Sequence, residues 1–330
     1  MSRAAELLRT TPQCVLSITS LTVLIYLWQI IFANQMQINK LTICSRDIIF
    51  KHQFYRMLTS PFLHGSMFHI GTNMMSYMTL GSFLEKAFGT MWHYSTVFAS
   101  VLLVSSTYVL VSFTLYFFGM KDIINTHALG FSGVLFHLLV IHCRLNSSTT
   151  HSVFGMFNVS SNVYPWVLLV LIQVFFPNIS FLGHLSGIIT GQLHTSGVFN
   201  CILPSPQRLR MLDENIIVRR FTSNHENYIK TPFSDDVFDT AFSSTESLSM
   251  NQIMIYGGKL WKFIKDVGET IKVIIFGRGN AMNQNIRLND GDLSSPLVGL
   301  GNVNNIGEEN EWNGLPTPIP VVEDTSSEYV

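Results

Sequence analysis

A serine flanked by glycines, Gly130-Phe131-Ser132-Gly133, opens one apolar stretch of this 330-residue chain, and a histidine, His184, opens another. A serine hydroxyl attacks a carbonyl only when a base takes its proton, and an imidazole titrating near neutrality suits that task. The two glycines remove side-chain bulk around Ser132, so a backbone can come close to it. His184, Gly187 and Gly191 share one helical face. Small residues four apart let two membrane helices pack backbone to backbone, which would hold His184 against a neighbouring helix. Acyl transfer also needs donors aimed at the developing oxyanion. Asn73 and His69, four residues apart on a third apolar stretch, share a face and supply side-chain N–H groups. Ser132 supplies a backbone N–H, and His64, Gly130, Phe131 and Gly133 flank these groups in sequence. Taken singly, each has an ordinary explanation: a serine in an apolar helix commonly bonds back to a carbonyl, and a buried histidine commonly packs or caps. Together they form a concentration of polar groups at membrane depth, where such groups are costly and mark function. Glu85, at a stretch end, is the one carboxylate on the three stretches. The inventory therefore yields a serine–histidine dyad, with no metal and no cofactor expected.

The elements that must position these residues are membrane helices. Hydrophobic residues make up 47% of the chain and charged ones 12%, against roughly a quarter charged in soluble domains. A bilayer core about 30 Å thick takes roughly 20 apolar residues per helix, and six stretches approach this: 13–33, 66–84, 92–118, 129–143, 163–177 and 180–200. The shorter ones are tolerable where neighbours or a water-filled cavity satisfy the backbone. The first stretch is long for a cleaved signal and reads as a retained anchor. A polar, aromatic-rich connection, 34–65, separates the first two stretches and is long enough to have structure of its own.

Bases near stretch ends, Arg3, Arg9, Lys86, Arg144, Arg208 and Arg210, put both termini in the cytosol by the positive-inside rule, although Lys40, Arg46, Lys51 and Arg56 of the first loop count the other way. The Asn146 and Asn158 sequons would then be cytosolic and the Asn178 sequon lumenal. Composition divides the chain into a membrane part, 1–203, and a cytosolic tail, 204–330. The last 41 residues of the tail carry eight acids and no base, a mark of disorder. Within the tail, residues 252–276 repeat apolar groups at helical spacing and read as a surface or docking helix. Four cysteines without C-x-x-C spacing suggest neither disulfides nor zinc, and no basic, aromatic-interleaved patch suggests nucleic acid. No H-E-x-x-H motif and no membrane aspartate pair is present. A transporter would spread its ionisable residues over more helices.

Over about residues 10–200 the sequence resembles the rhomboid intramembrane proteases. Tyr55-Arg56 with Thr59 and Phe62 is similar to the family's first-loop motif; His64, His69 and Asn73 match H-x4-H-x3-N; Glu85 and Gly89 follow at the family's spacing. Gly130-Phe131-Ser132-Gly133 matches G-x-S-G, and His184, Gly187 and Gly191 match H-x2-G-x3-G. The resemblance implies an all-α, six-span bundle with a largely disordered cytosolic tail. Ser132 and His184 would form the dyad, and Asn73 and His69 would support the oxyanion. Implied partners are transmembrane protein substrates and the lipid bilayer.

The six-span plan and the 130–136 run look most like the endoplasmic-reticulum quality-control subgroup, with another endomembrane such as the Golgi as the alternative. Arg208, Arg210, Arg219, Arg220 and Phe221 bear a loose likeness to a basic segment that binds a segregase ATPase, a link toward ubiquitin-proteasome machinery; a plain juxtamembrane basic stretch is the more common origin of such a run. Three departures stand out. Tyr55 replaces the usual Trp, Phe136 replaces a Tyr beside the catalytic ring, and the tail lacks a ubiquitin-interacting helix. His137, five residues past Ser132, turns away from the serine's face and reads as lining a polar seam. The competing function is a catalytically silent relative that binds or retrotranslocates membrane clients; such relatives generally lack the serine or the histidine.

Overall fold

In the computed structural model of the chain, residues 9–153, 155–177, 179–222 and 226–242 are described. Helix α1 (Gln13–Phe32) leads into a first-loop module made of α2 (Gln35–Leu41), α3 (Ser45–Lys51), α4 (Tyr55–Thr59) and a 3-10 turn at Ser60–Phe62. Helices α5 (Met67–Phe88) and α6 (Thr90–Phe117) follow, then a 3-10 turn at Lys121–Asn125 and α7 (Ser132–Leu145). Strands β1 (Thr150–Val153) and β2 (Phe157–Ser160) form an antiparallel hairpin pairing Thr150 with Ser160. The described chain ends with α8 (Tyr164–Phe175), α9 (Phe181–Thr195), α10 (Pro206–Glu214), α11 (Ile216–Thr222) and α12 (Asp236–Phe242).

Each of the six apolar stretches is a helix, with limits set by local chemistry. Ser66 and Ser180 cap α5 and α9 by accepting the His69 and Gly183 N–H groups, supplying partners the first turn lacks. Helix α7 starts at Ser132 rather than 129 because Gly130 has φ +116°, outside any helical region. Helix α9 stops at Thr195 rather than 200, ahead of Gly197 at φ +78°. Helices α1 and α6 are long and apolar enough to cross a membrane by length and composition. Apolar residues also cover their outer faces: Ile31 and Leu110 are each 66% exposed, the pattern of a helix apolar all round.

Helix α7 sits among α5, α6, α8 and α9, and its most extensive interface is with α9. Gly187 and Gly191 make that approach possible. A Cβ on Gly187 would meet the Gly133 carbonyl, and one on Gly191 would lie 2.6 Å from the Val140 Cβ.

The first loop is structured, as its length suggests. The Arg56 guanidinium is buried and donates to the Asn39 and Thr42 carbonyls, to Gln53 and to Asp47. Asp47 also pairs with Lys51 at 2.8 Å. The Lys51 hydrogen bond, followed by the Arg56 charge, holds the Asp47 carboxyl below the usual carboxylate range. Ile43 bridges to Ala128, and the Gly130 N–H donates to the Ser60 carbonyl at 3.0 Å. The loop thereby grips the segment that leads into Ser132.

Two findings differ from the sequence reading. The β1–β2 hairpin, connected through Gly155 at φ +74°, adds strands to a chain expected to be all helical; its Thr, Val, Phe and Ser residues alternate at a strand period too short to stand out. The compositional boundary at 203/204 does not coincide with a break in packing. Asp213 on α10 accepts the Thr231 N–H at 2.8 Å and the Tyr228 hydroxyl, and the Thr90 N–H donates to the Ile229 carbonyl at 2.7 Å. Leu209, Phe238 and Ala241 are buried in the core that holds Phe88 and Trp92. The surface helix expected at 252–276, the acidic terminus and Asn178 lie outside the described residues.

Candidate active site

Ser132 is the first residue of α7, where the backbone N–H groups of the first turn have no intrahelical partner and the helix dipole is positive. His184 lies in the first turn of α9. The helices bring the Ser132 Oγ to 2.8 Å from the His184 Nε2, within proton-transfer distance. Phe136, one turn after Ser132, packs its ring 4.7 Å from the imidazole at 30°. The Phe in place of a Tyr therefore keeps the ring contact and lacks only the hydroxyl. The other ring nitrogen, His184 Nδ1, is buried with no hydrogen-bond partner. Among the described residues no third polar group bonds to the imidazole, and its orientation comes from packing against Phe136.

Asn73 and His69 lie one turn apart on α5. The Asn73 Nδ2 and His69 Nε2 atoms are buried without partners, and buried polar groups are otherwise nearly always paired. The His69 ring lies over Gly130, where a Cβ would come within 2.7 Å of its Cε1. Glycine at that point allows both the left-handed backbone turn into Ser132 and the approach of the imidazole. Its neighbour Phe131 is fully buried, edge-on to Tyr77 at 5.0 Å, and a Cβ on Gly133 would press on Val104 at 3.0 Å and on the Gly183 carbonyl at 3.1 Å. His64 is buried edge-on to His69 at 5.0 Å, its Nδ1 3.3 Å from the Phe62 carbonyl. A cavity of about 50 Å³ adjoins Ser132 and is bounded partly by Ser60, Tyr108 and Ser180; that is room for water beside polar partners.

Tyr55 and Arg56 are not part of this cluster. Tyr55 is exposed, and Arg56 braces the first loop. Sequence reasoning left three supports unassigned. Gln29 of α1 donates to the His64 carbonyl at 2.6 Å and accepts the His64 N–H at 3.2 Å, fixing the entry to α5; a polar residue inside the first apolar stretch was the available signal. Glu85 accepts the Cys14 and Val15 N–H groups, both at 2.9 Å, and the Thr90 hydroxyl, so it caps α1. Its spacing matched the family, but its partner lay 70 residues away. His137 pairs with His194. Among the described residues, the one cluster with metal-ligand chemistry is Cys14, Glu85 and His93, and the Glu85 oxygens there already serve the α1 N-terminus.

The sequence is similar to known proteins. Residues 51–200 fit the family model described as Rhomboid domain. The chain is 33% identical over 213 residues to Rhomboid-like protein 15 of Arabidopsis thaliana, covering 60% of this chain and 52% of that protein. It is 35% identical over 149 residues to Rhomboid-related protein 4 of Homo sapiens, covering 45% and 47%. It is also 27% identical over 162 residues to Rhomboid-type serine protease 2 of Neurospora crassa, covering 48% and 56%. The chain spans about half the length of these curated relatives. With Ser132 of α7 at His184 of α9, His69 of α5 over Gly130 and the match lying across all three helices, residues 51–200 of this chain form a rhomboid domain.

Proposed function

We propose that this chain is an intramembrane serine endopeptidase that cuts transmembrane segments of client proteins. The observation that carries the reading is the 2.8 Å contact between Ser132 Oγ and His184 Nε2, set beside the unpaired donors of Asn73 and His69. In this mechanism the Ser132 Oγ bonds to the scissile carbonyl carbon while its proton passes to His184 Nε2. The carbonyl oxygen becomes an oxyanion that accepts hydrogen bonds from Asn73 Nδ2, His69 Nε2 and the N–H groups at the start of α7. Collapse of the tetrahedral intermediate breaks the C–N bond, and the amine leaves with the proton from His184. Water from the cavity beside Ser132 then gives its proton to His184 and attacks the acyl carbon. The carboxylic acid departs, and the proton returns to Ser132. The names of the Neurospora and Aspergillus relatives, rhomboid-type serine proteases, support this chemistry.

Rhomboid-family proteins are membrane proteins. In this reading α1, α5, α6, α7, α8 and α9 are six spans, both termini are cytosolic, residues 204–330 face the cytosol, and the site opens toward the lumen. The similarity to Rhomboid-related protein 4 and the run at 130–136 support the endoplasmic reticulum as the compartment, and the basic residues of α10 and α11 support a cytosolic partner of the segregase or ubiquitin-proteasome class.

The test is labelling of the full chain in detergent with a serine-reactive fluorophosphonate, together with cleavage of a membrane substrate in cells. Ser132→Ala and His184→Ala should each lower both by about 10³-fold or more, with melting temperature unchanged for Ser132→Ala. Undiminished cleavage by Ser132→Ala would end the dyad model, and a natural chain that neither labels nor cleaves would be a client-binding scaffold instead.

A further inference from the structure

The two helices that carry the dyad meet at a second polar point. His137, five residues past Ser132 on α7, places its Nε2 2.9 Å from Nδ1 of His194 on α9. Both rings are buried, 0% and 2% exposed, and neither enters the proton path described above. Ser132 faces His184 and His137 faces His194, so the helices run parallel, with one polar contact at their starts and a second between the middle of α7 and the end of α9. Between these contacts the surface is glycine against backbone: Gly187 against the Gly133 carbonyl and Phe136, and Gly191 against Val140 and the His137 carbonyl.

Small-residue packing brings helices close but has little direction. Glycines four apart on α9 leave one slip open: a shift of four residues moves the helix about 6 Å and turns it only about 40°, setting one of Gly183, Gly187 and Gly191 where another sat. A buried hydrogen bond does not survive that slip, because both ring nitrogens would lose their partner. Fixing register is the best-attested use of buried polar groups. The orientation of the His194 ring has its own support: Phe242 of α12 stacks on it with centroids 4.7 Å apart and planes 20° apart.

We propose that the His137–His194 hydrogen bond is a register lock, a pair of positioning residues that holds α7 and α9 at the offset and rotation where Ser132 and His184 meet. The proposal rests on the serine-peptidase reading, since its consequence is the alignment of that dyad. A misplacement of 1 Å would carry the 2.8 Å dyad contact past hydrogen-bonding distance.

The experiment compares melting temperature with the rate of fluorophosphonate labelling at Ser132, in the full chain in detergent. His137→Leu alone, or His194→Phe alone, strands the remaining imidazole nitrogen, and both quantities should fall. In the double variant both partners are apolar and the ring stacked on Phe242 is kept. Its melting temperature should recover to near that of the natural chain, while labelling stays at least ~10-fold slow. His137→Gln, which keeps an amide within reach of His194, should label within about threefold of the natural chain. Labelling at the natural rate in the double variant would overturn the lock and leave the dyad standing. If the natural chain itself failed to label at Ser132, the peptidase reading would fall and the lock with it.

Discussion

At the scale of single residues, the site is defined as much by what is unpaired as by what is bonded. His184 spends one ring nitrogen on Ser132 and leaves the other without a partner, and Asn73 and His69 each hold a buried donor in reserve. Leaving such donors unsatisfied costs about 1–3 kcal/mol each, a cost that makes sense where negative charge will develop. Asn73→Ala should therefore lower kcat by about 10²-fold while leaving KM for the same substrate nearly unchanged. The change should also raise stability slightly or leave it constant, because it removes an unsatisfied group; a fall in both kcat and melting temperature would assign Asn73 to the fold instead. Gly130 shows the same economy in the backbone, since its φ of +116° and the imidazole over it both exclude a side chain two residues before Ser132.

At the scale of elements, two devices hold the helices in place from outside the site. Glu85 at the end of α5 takes the N–H groups of Cys14 and Val15 at the start of α1. Glu85→Ala should strand those donors and destabilise the chain by about 1–3 kcal/mol, read as a lower unfolding midpoint with Ser132 labelling preserved in the folded fraction. The first-loop module depends on Asp47, which joins Lys51 and Arg56. Its carboxyl is held below the ordinary range chiefly by the Lys51 hydrogen bond, so the folded form is more acidic than the unfolded one. The stabilisation is present above the unfolded value, about pH 4, and is lost as pH falls through the folded value. Asp47→Asn should accordingly flatten the acid limb of the stability curve. An unchanged acid limb in thermal melts from pH 3 to 6 would show that the pair is too well solvated to matter.

At the scale of the whole molecule, the membrane part and the first segment past it form one packed unit. Residues 227–231 run along the start of α1 and the α5–α6 turn, with Gln13 donating to Asn227 and Thr90 to Ile229, while α12 seats Phe238 against Phe88 at 5.1 Å. If the six helices are spans with cytosolic termini, Asn146 and Asn158 face the cytosol. Both sequons should stay unmodified when the chain is made in glycosylating membranes, as read by the absence of an endoglycosidase-sensitive shift. A glycan on either would reverse the topology and put the dyad on the cytosolic side.

The sequence by itself determined which residues have the types and spacing for the proposed chemistry and which stretches become helices. Ser132, His184, Asn73 and His69 stood out because polar groups are rare in apolar stretches, and Gly187 and Gly191 because small residues at helical spacing have a direct packing meaning. Helix ends were legible to within a few residues wherever a Ser cap or a glycine sat nearby. Only the tertiary structure decided how these pieces meet: that α7 and α9 lie parallel with His184 at the Ser132 hydroxyl, that Ser60 holds Gly130, that Glu85 caps a helix 70 residues away, that His137 finds His194, and that α10 and α12 return to the core. The physical reason is separation along the chain. Periodicity and capping are local and can be read from neighbouring residues, whereas a hydrogen bond between residues dozens of positions apart depends on packing that no short window of sequence contains.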